Sequence, residues 1–454
     1  MTNASDSTRE GAFPTLDGAW PILGHMGEMY RSFPQLCARG TKAHGSLFWI
    51  MGGPGARQLM YTAPAALNVL KNTGVSSSFY TEGFSALLGN TLFAFDGDEH
   101  RRVRQPMTPP FTPQRVRASD VITIVIDAVR KRIDSWVSKE GFDIVAETRE
   151  MALEIIFRVV GVPVSDLADW RKQYNRFLLA GIPSSGRVRG PIYWYASRAR
   201  KWIDERLGAI VDGLRRSGDT STLVAAIANG RGEDGRLLDR DLVIPNLRLL
   251  IFAGHETTAS SIAWTAIHFA SSRSFQRRAK EEIEEVTDIG ALATDTSRFT
   301  FAEKMFREAL RMYPAVHSVI RRVTAPIEVE DGVIPKGTLL NVPFVHLLRD
   351  PERFPSPDTF GPDRWTERPR PGTIETAMFG GGPHFCLGYH IAIAEGTLFN
   401  LLLARALDER GLELVNTAPG PVPKPVYLPL MHPPRGVTLR LVPARISGES
   451  HAHQ

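Results

Sequence analysis

The sequence predicts a mainly α-helical fold with a smaller β portion. Apolar residues recur at intervals of three and four through most of the stretch from about residue 114 to 313. Shorter stretches of alternating polarity lie at 46–62 and 326–345, and the last 35 residues are rich in proline and β-branched residues. With 454 residues, 43% of them apolar, the chain has ample material for a core.

Each predicted element follows from its residue pattern. Residues 46–62 contain two alternating runs around a Gly-Gly-Pro-Gly turn, which predicts a β-hairpin. Residues 350–385 contain seven prolines and many glycines, so they cannot form a regular helix or a central strand. A long irregular segment of this kind commonly serves a functional site. Helical spacing is clearest in five segments, 121–136, 151–159, 196–214, 242–270 and 274–286.

Composition and charge exclude several classes of protein. The 54 basic and 49 acidic residues give a net charge of +5 and are interspersed, so nucleic-acid binding is not indicated. Cys37 and Cys386 are the only cysteines and cannot form a disulfide framework or a paired-cysteine zinc site. The sequence has no signal peptide and no apolar run of about 18 residues, so we expect a cytoplasmic protein without a membrane span. We expect one domain over 1–454, with polar tails at about 1–12 and 446–454.

A glycine-rich bend presents the second cysteine just before a helical run. The segment from Phe379 to Gly388 reads FGGGPHFCLG. Free N–H groups at a helix start stabilise a thiolate, so we expect a lowered pKa for Cys386 and a good soft metal ligand. Taken alone, a cysteine after a flexible turn is more often a buried structural residue. The spacing of Phe379, Gly382, Cys386 and Gly388, however, resembles the haem-ligand loop of the cytochrome P450 family.

This resemblance implies the architecture of a soluble, bacterial-type cytochrome P450. Haem b would lie between a long distal helix and the proximal cysteine loop. Cys386 would be its metal ligand, with Phe379 and Gly388 beside the cofactor.

A second segment, residues 250–259, is similar to the distal helix of the family. Threonine hydroxyls in a helix can bond to carbonyls four residues earlier and open a local groove. The resemblance implies that Ala253 and Gly254 form an oxygen-binding groove. It also implies that Glu256 and Thr257 are the catalytic acid–alcohol pair of a proton relay. Without the resemblance, the same residues could form an exposed polar edge.

A third segment carries Glu308 and Arg311, three residues apart on one predicted helical face. Alone, they would be an ordinary surface ion pair of little energetic weight. Both match the family pattern, as does Arg364 in the downstream sequence FGPDRW. The resemblance implies that the three side chains form a buried network that fixes the proximal loop. We expect a structural role for them.

Haem carries two propionates, which require cations or hydrogen-bond donors around its rim. His100 and Arg104 match the family pattern Asp-Gly-x-x-His-x-x-x-Arg, and Arg321 and His384 match two further propionate-binding positions. Arg322 beside Arg321 is an alternative. Any one of these residues could instead be a solvated surface cation.

The family resemblance implies a haem-thiolate monooxygenase that inserts one atom of O2 into an apolar organic substrate by hydroxylation or epoxidation. Because no nucleotide-binding fingerprint is present, electrons would come from a separate ferredoxin or flavodoxin with its NAD(P)H-dependent reductase. We expect a monomer that docks this partner through Arg101, Arg102 and Arg104. The alternatives are a peroxygenase or isomerase and a non-enzymatic haem sensor. Glu256 and Thr257 favour the monooxygenase.

If the family layout holds, apolar side chains line a substrate chamber. The predicted pocket residues are Phe84, Leu87, Leu88, Phe177, Leu250 and Leu430.

Overall fold

The computed structural model describes residues 13–53, 56–80, 89, 91–179, 190–284, 286–295, 297–418 and 420–444. Within these residues the α-helices are α1 (Met26–Arg31), α2 (Phe33–His44), α3 (Ala66–Val69), α4 (Gly97–Met107), α5 (Pro113–Ala118), α6 (Val121–Val137), α7 (Ile144–Val159), α8 (Leu167–Leu178), α9 (Pro191–Ser217), α10 (Leu223–Ala228), α11 (Arg240–Ser271), α12 (Arg273–Ile283), α13 (Ile289–Thr294), α14 (Phe301–Met312), α15 (Phe344–Leu347) and α16 (Tyr389–Glu409). The strands are β1 (Leu47–Met51), β2 (Arg57–Tyr61), β3 (Val75–Ser76), β4 (Phe142–Asp143), β5 (Val319–Val323), β6 (Ile327–Val329), β7 (Gly332–Ile334), β8 (Leu339–Val342), β9 (Leu412–Asn416) and β10 (Thr438–Pro443). The predicted mainly α fold with a smaller β portion is confirmed.

The strands form a five-stranded sheet in the order β1-β2-β8-β5-β3, a three-stranded sheet in the order β4-β10-β9, and the β6-β7 pair. The predicted hairpin at 46–62 is confirmed, with β1 antiparallel to β2 and Phe48 opposite Met60. The sequence interpretation missed β5, because its two adjacent arginines obscure the alternation. In the structure Arg321 is buried and Arg322 is more exposed.

Helix α11 lies at the centre of the structure. It runs for 32 residues and packs against α7, α9, α14 and α16. Every side chain from Thr258 to Phe269 is buried. A helix buried on all sides is typical of a large protein core. The predicted helix at 242–270 is confirmed, with its observed ends one or two residues further out.

Helix α7 begins earlier than the predicted segment 151–159. Its first turn is capped by Asp143, whose carboxylate accepts the N–H groups of Val145 and Ala146 at 2.9 and 3.2 Å. After the apolar residues 144–146 the next four side chains, 147–150, are polar, and this interruption hides the helical spacing. The aspartate cap was the available sequence signal for the true start.

A buried charged network fixes the irregular segment 350–385, which contains only short 3-10 turns among its regular elements. Arg311 donates to both carboxylate oxygens of Glu308 at 2.9 Å each, and both residues are 0% exposed. Arg364 donates to the same carboxylate at 2.9 Å, and the indole N–H of Trp365 donates to it at 3.0 Å. Removing one partner of such a buried pair costs roughly 3–5 kcal/mol. The network therefore holds in place a segment that lacks its own regular hydrogen bonding.

Helix α16 follows the cysteine loop and packs tightly against α14. A Cβ atom at Gly396 would lie 2.3 Å from ring atoms of Phe306. By length and composition, α16 is the one described helix that could span a membrane, but 72% of its apolar window is buried inside the protein. The core helix of a soluble protein gives the same signal.

Replacing Gly396 with alanine tests this close approach. Alanine favours a helix by about 1 kcal/mol over glycine, whereas overpacking a core costs roughly 1–3 kcal/mol. Gly213 in α9 is a matched control, because the nearest atom to a Cβ there is 4.0 Å away. We expect Gly396→Ala to lower the thermal unfolding temperature, and Gly213→Ala to keep or raise it. An unchanged temperature for Gly396→Ala would contradict the packing described here.

Candidate active site

The glycine-rich loop places Cys386 between the irregular segment and α16. The N–H of Cys386 donates to the carbonyl of Phe379 at 2.8 Å, which closes the loop. Gly382 has a φ of +60°, and a Cβ there would lie 2.2 Å from the carbonyl oxygen of Leu70. Only glycine fits this backbone conformation and this contact. A Cβ at Gly388 would lie 4.0 Å from the sulfur of Cys386, which is an ordinary contact distance and places this residue directly beside the thiol.

The environment of the thiol differs from the sequence-based expectation. Burial raises the pKa of Cys386, while the N–H of Gly388 and the charge of Arg104 act in the opposite direction. The predicted lowering of this pKa is therefore wrong. Burial outweighs the other effects, and α16 begins only at Tyr389, three residues after the sulfur. A thiol in such a place loses its proton when it binds a metal cation.

Four basic side chains lie together near the sulfur. Arg104 on α4 donates to the carbonyl of Phe385 at 2.6 Å, and Arg321 on β5 donates to the carbonyl of the residue before it at 3.0 Å. The rings of His100 and His384 have centroids 4.3 Å apart. Burial, together with the charges of His384, Arg104 and Arg321, lowers the pKa of His100 to about 4. The structure thus brings all four predicted propionate partners into one cluster.

One carboxylate, Asp96, belongs to this cluster. Its Oδ1 lies 3.2 Å from Nε2 of His384, and Ser77 Oγ lies 3.3 Å from the same nitrogen. Although burial acts to raise the pKa of Asp96, hydrogen bonds from His384, Ser76 and Ser77 lower it to about 2. Nε2 of His384 is therefore already engaged. By contrast, Nε2 of His100 is buried and has no hydrogen-bond partner within the described part of the chain.

The middle of α11 carries the predicted distal residues. Ala253 is exposed there although the helix around it is mostly buried, so it borders open space. The hydroxyl of Thr257 donates to the carbonyl of Ala253 at 2.5 Å, which is the bond four residues back that the sequence suggested. Gly254 lies on the side of the helix that packs against α7, because a Cβ atom there would be 3.3 Å from the side chain of Ile156. Gly254 therefore allows two helices to approach, and Ala253 borders the space beside Thr257.

An arginine that the sequence interpretation missed holds the predicted acid. Arg149 on α7 donates to Oε2 of Glu256 at 3.0 Å. The carbonyl of Arg149 also lies 3.1 Å from Nε2 of His255. Glu256 and Thr257 therefore point to different surroundings, one toward α7 and the other toward open space. Arg149 is 107 residues away in sequence, and no local pattern identifies it.

The predicted pocket residues have mixed placements. Phe177 is 1% exposed and packs with Tyr174, with ring centroids 6.1 Å apart. It therefore lies in the core of the described residues, and its predicted place in the pocket wall stays a prediction. Leu250 and Leu430 are partly exposed, as wall residues would be. The remaining predicted pocket residues, Phe84, Leu87 and Leu88, lie outside the described residues.

These features fit a haem. Cys386 lies deep in the protein yet keeps accessible surface, so its sulfur faces internal space and can bind an iron. The basic cluster has more positive charge than Asp96 neutralises, and it contains the unpartnered nitrogen of His100. Two propionates would satisfy it. In the described residues no group of three or more His, Cys, Asp or Glu side chains could hold a bare metal ion.

Comparison with known proteins gives the family. The family model described as cytochrome P450 matches residues 14–173 and 197–434. The chain is 30% identical over 429 residues to the cytochrome P450 BJ-4 homolog of Sinorhizobium fredii, covering 94% of this chain and 95% of the relative. It is 28% identical over 409 residues to cyclooctat-9-en-7-ol 5-monooxygenase of Streptomyces melanosporofaciens, covering 86% of this chain and 88% of the relative.

A solved structure shows the same fold. The retinoic acid-bound cyanobacterial CYP120A1 matches with a TM-score of 0.79 at 19% sequence identity, covering 95% of this chain and 100% of that one. The cofactor of these proteins is haem b, held by a thiolate, and the residues around Cys386 fit it. The chain belongs to the cytochrome P450 family of haem-thiolate oxidoreductases.

Proposed function

We propose that this chain is a monooxygenase that inserts one atom of O2 into an apolar organic substrate by hydroxylation or epoxidation. The observation that carries the proposal is the pairing of exposed Ala253 with the hydroxyl of Thr257 in the middle of a mostly buried helix. A small side chain leaves room for a ligand, and a hydroxyl beside it can hold water. The Streptomyces melanosporofaciens relative, which is named a monooxygenase, supports the same reaction class.

The proximal residues have a holding role. When bound, haem b supplies an iron whose thiolate ligand favours cleavage of the O–O bond of dioxygen. Cys386 would hold the iron, and Phe379 and Gly388 shape the loop around the sulfur. Arg104 and Arg321, with the free nitrogen of His100, would bind the two propionates. His384 would act mainly by positioning, because Asp96 and Ser77 already engage its Nε2.

The distal residues would deliver protons. The hydroxyl of Thr257 donates to the carbonyl of Ala253, so its oxygen can accept a hydrogen bond from a water in the adjacent space. Glu256 keeps a quarter of its side chain exposed and reaches solvent. We assign Glu256 the role of passing protons from solvent to that water. For this transfer the side chain of Glu256 would rotate away from Arg149 toward the water, while the backbone of α11 stays unchanged.

An apolar substrate is supported by the partly exposed Leu250 and Leu430 and by a relative named for acting on cyclooctat-9-en-7-ol. A peroxygenase or an isomerase would not need Thr257 and Glu256 as a proton relay. The hydroxyl of Thr257 beside open space, with the partly exposed Glu256 next to it in sequence, is the reason to favour the monooxygenase over these alternatives and over a haem sensor.

The electron donor would be a separate acidic protein, a ferredoxin or flavodoxin with its NAD(P)H-dependent reductase, acting in the cytoplasm on a monomeric enzyme. Arg101 and Arg102 on α4 are exposed, and the same helix contacts the cysteine loop through Arg104. Arg104 itself is half-buried and bonded to Phe385, so it does not contribute to the docking surface as predicted.

Replacing Thr257 with alanine tests the proposed reaction. Substrates are first selected as lipophilic compounds that shift the haem spectrum, and each is then incubated under ¹⁸O-labelled dioxygen with a surrogate ferredoxin system. We expect the wild-type product to carry one labelled atom. Because proton delivery by a positioned group contributes about 100-fold or more, Thr257→Ala should reduce product formed per NAD(P)H roughly tenfold or more, with hydrogen peroxide released instead.

Thr265→Ala is the matched control, since Thr265 makes the same type of bond to the carbonyl of Ser261 but is buried in the core. It should leave the product yield per NAD(P)H near that of the wild type. A product whose new oxygen comes from water, or a product without a new oxygen, would contradict the proposed reaction. Equal yields from Thr257→Ala and wild type would contradict the role of Thr257.

Charge reversal tests the docking surface. Arg101→Glu combined with Arg102→Glu should slow reduction of the haem by an acidic ferredoxin, most strongly at low salt, because exposed charges mainly steer association. Lys201→Glu on α9 is the control, since Lys201 is also exposed and also faces an acid one turn away. Stopped-flow reduction rates as a function of ferredoxin concentration provide the measurement. Equal effects of the two changes would argue against a docking site on α4.

A further inference from the structure

A stack of oxidisable aromatic residues lies in the core behind the distal site. The rings of Trp264 and Tyr313 are parallel to within 10°, with centroids 3.8 Å apart. Nε2 of His268 lies 3.1 Å from the hydroxyl of Tyr313. The other face of this assembly is closed by Phe360, which stacks on His268 at 3.8 Å. All three polar rings are almost completely buried.

The stack is connected to the active site through α11. Trp264 follows Thr257 by seven residues, which is about two turns and about 10 Å along the helix axis. At 100° per residue, Ala253, Thr257, Trp264 and His268 fall on one face of the helix. Trp264 is therefore the member of the stack that lies nearest the distal residues along the helix.

The hydrogen bond gives Tyr313 a proton acceptor when His268 carries its proton on Nδ1, because Nε2 then accepts from the phenol. Burial lowers the pKa of His268 to about 3, so its ring is neutral near pH 7 and is a weak base toward a neutral phenol. It takes the proton only when loss of an electron has made the phenol strongly acidic. Burial also raises the pKa of Tyr313 to about 12, so the phenol keeps its proton in the resting state. A buried phenol is hard to oxidise unless its proton leaves with the electron, and 3.1 Å is within the reach needed for that transfer.

We propose that Trp264, Tyr313 and His268 form a redox relay that drains oxidising equivalents from the haem when no substrate consumes them. The oxidant is haem that hydrogen peroxide has oxidised. One electron passes from Tyr313 through Trp264 to this haem, and the O–H bond of Tyr313 breaks as its proton moves to Nε2 of His268. The products are a neutral tyrosyl radical on Tyr313, a protonated imidazole on His268 and a haem that has been reduced by one electron. A small reductant such as ascorbate then supplies one electron, and the proton returns to Tyr313.

The relay differs from the proposed proton path in residues and in direction. Glu256 and Thr257 bring protons toward the haem pocket, whereas Trp264 and Tyr313 carry oxidation away from it into the core. Its benefit is protection, since oxidation that is not drained attacks the haem and nearby side chains. This protein also buries a tyrosine hydroxyl without a hydrogen-bond partner, since that of Tyr174 has none among the described residues. Burial of Tyr313 alone therefore does not explain why His268 lies beside its hydroxyl.

Electron paramagnetic resonance tests the relay. Substrate-free ferric holoenzyme is mixed with hydrogen peroxide and frozen within milliseconds to seconds. We expect an organic radical with tyrosyl hyperfine structure that is lost in Tyr313→Phe and several-fold weaker in Trp264→Phe. Tyr174→Phe is the matched control, because Tyr174 is also a buried tyrosine but its hydroxyl has no hydrogen-bond partner among the described residues. A radical that persists unchanged in Tyr313→Phe would overturn the assignment.

Two further readouts separate a redox role from a structural one. His268→Gln keeps a hydrogen-bond acceptor near Tyr313 but removes the base, so the radical yield should fall while the thermal unfolding temperature stays close to that of wild type. Bleaching of the haem absorbance by peroxide should be several-fold faster in Tyr313→Phe than in Tyr174→Phe. Unchanged radical yield in His268→Gln, or equal bleaching rates in the two tyrosine variants, would refute the relay.

Discussion

The structure depends on placing one thiol deep in the protein while leaving its sulfur accessible. Burial makes the neutral thiol the favoured form of Cys386 in the absence of a cation, so the site is completed by the positive iron of the haem. The surrounding chain meets the geometric demands of that arrangement. Gly382 allows the loop to pass against Leu70, where a Cβ would lie 2.2 Å from a carbonyl oxygen.

The charged groups are arranged in two distinct ways around this loop. Glu308 is fully satisfied by Arg311, Arg364 and Trp365, so that network holds the segment before the loop and has no spare hydrogen-bonding capacity for a ligand. The basic cluster at Arg104 and Arg321 has the opposite property, because its cations outnumber the acids in the described residues nearby and these two arginines donate to backbone carbonyls. One network provides rigidity, and the other provides a place for two carboxylates.

Sequence patterns identified the parts of this site whose spacing is local. The bond from Thr257 to Ala253 spans four residues, and the pairing of Glu308 with Arg311 spans three, so helical periodicity predicts both. The hairpin and the long central helix were predictable for the same reason. The glycine loop was recognisable because three other segments of the family pattern occur in the right order.

Other features depend on contacts that no spacing rule contains. Arg149 meets Glu256 across 107 residues, and Asp96 meets His384 across 288, so both depend on the tertiary fold. The direction of the Cys386 pKa shift depends on depth of burial, which overrode the expected effect of a helix start. Phe177 has the composition of a pocket residue, but its burial against Tyr174 in the core depends on the tertiary fold.

The central claim is that Cys386, and not Cys37, binds the iron of a haem. The most direct test is the absorption spectrum of the ferrous protein with carbon monoxide, recorded for wild type, Cys386→Ser and Cys37→Ser. Cys37→Ser is the control, because Cys37 is completely buried in the apolar core whereas Cys386 keeps accessible surface. We expect the red-shifted band typical of a thiolate–carbon monoxide haem in wild type and in Cys37→Ser, and its loss in Cys386→Ser. A band that survives in Cys386→Ser would contradict the account.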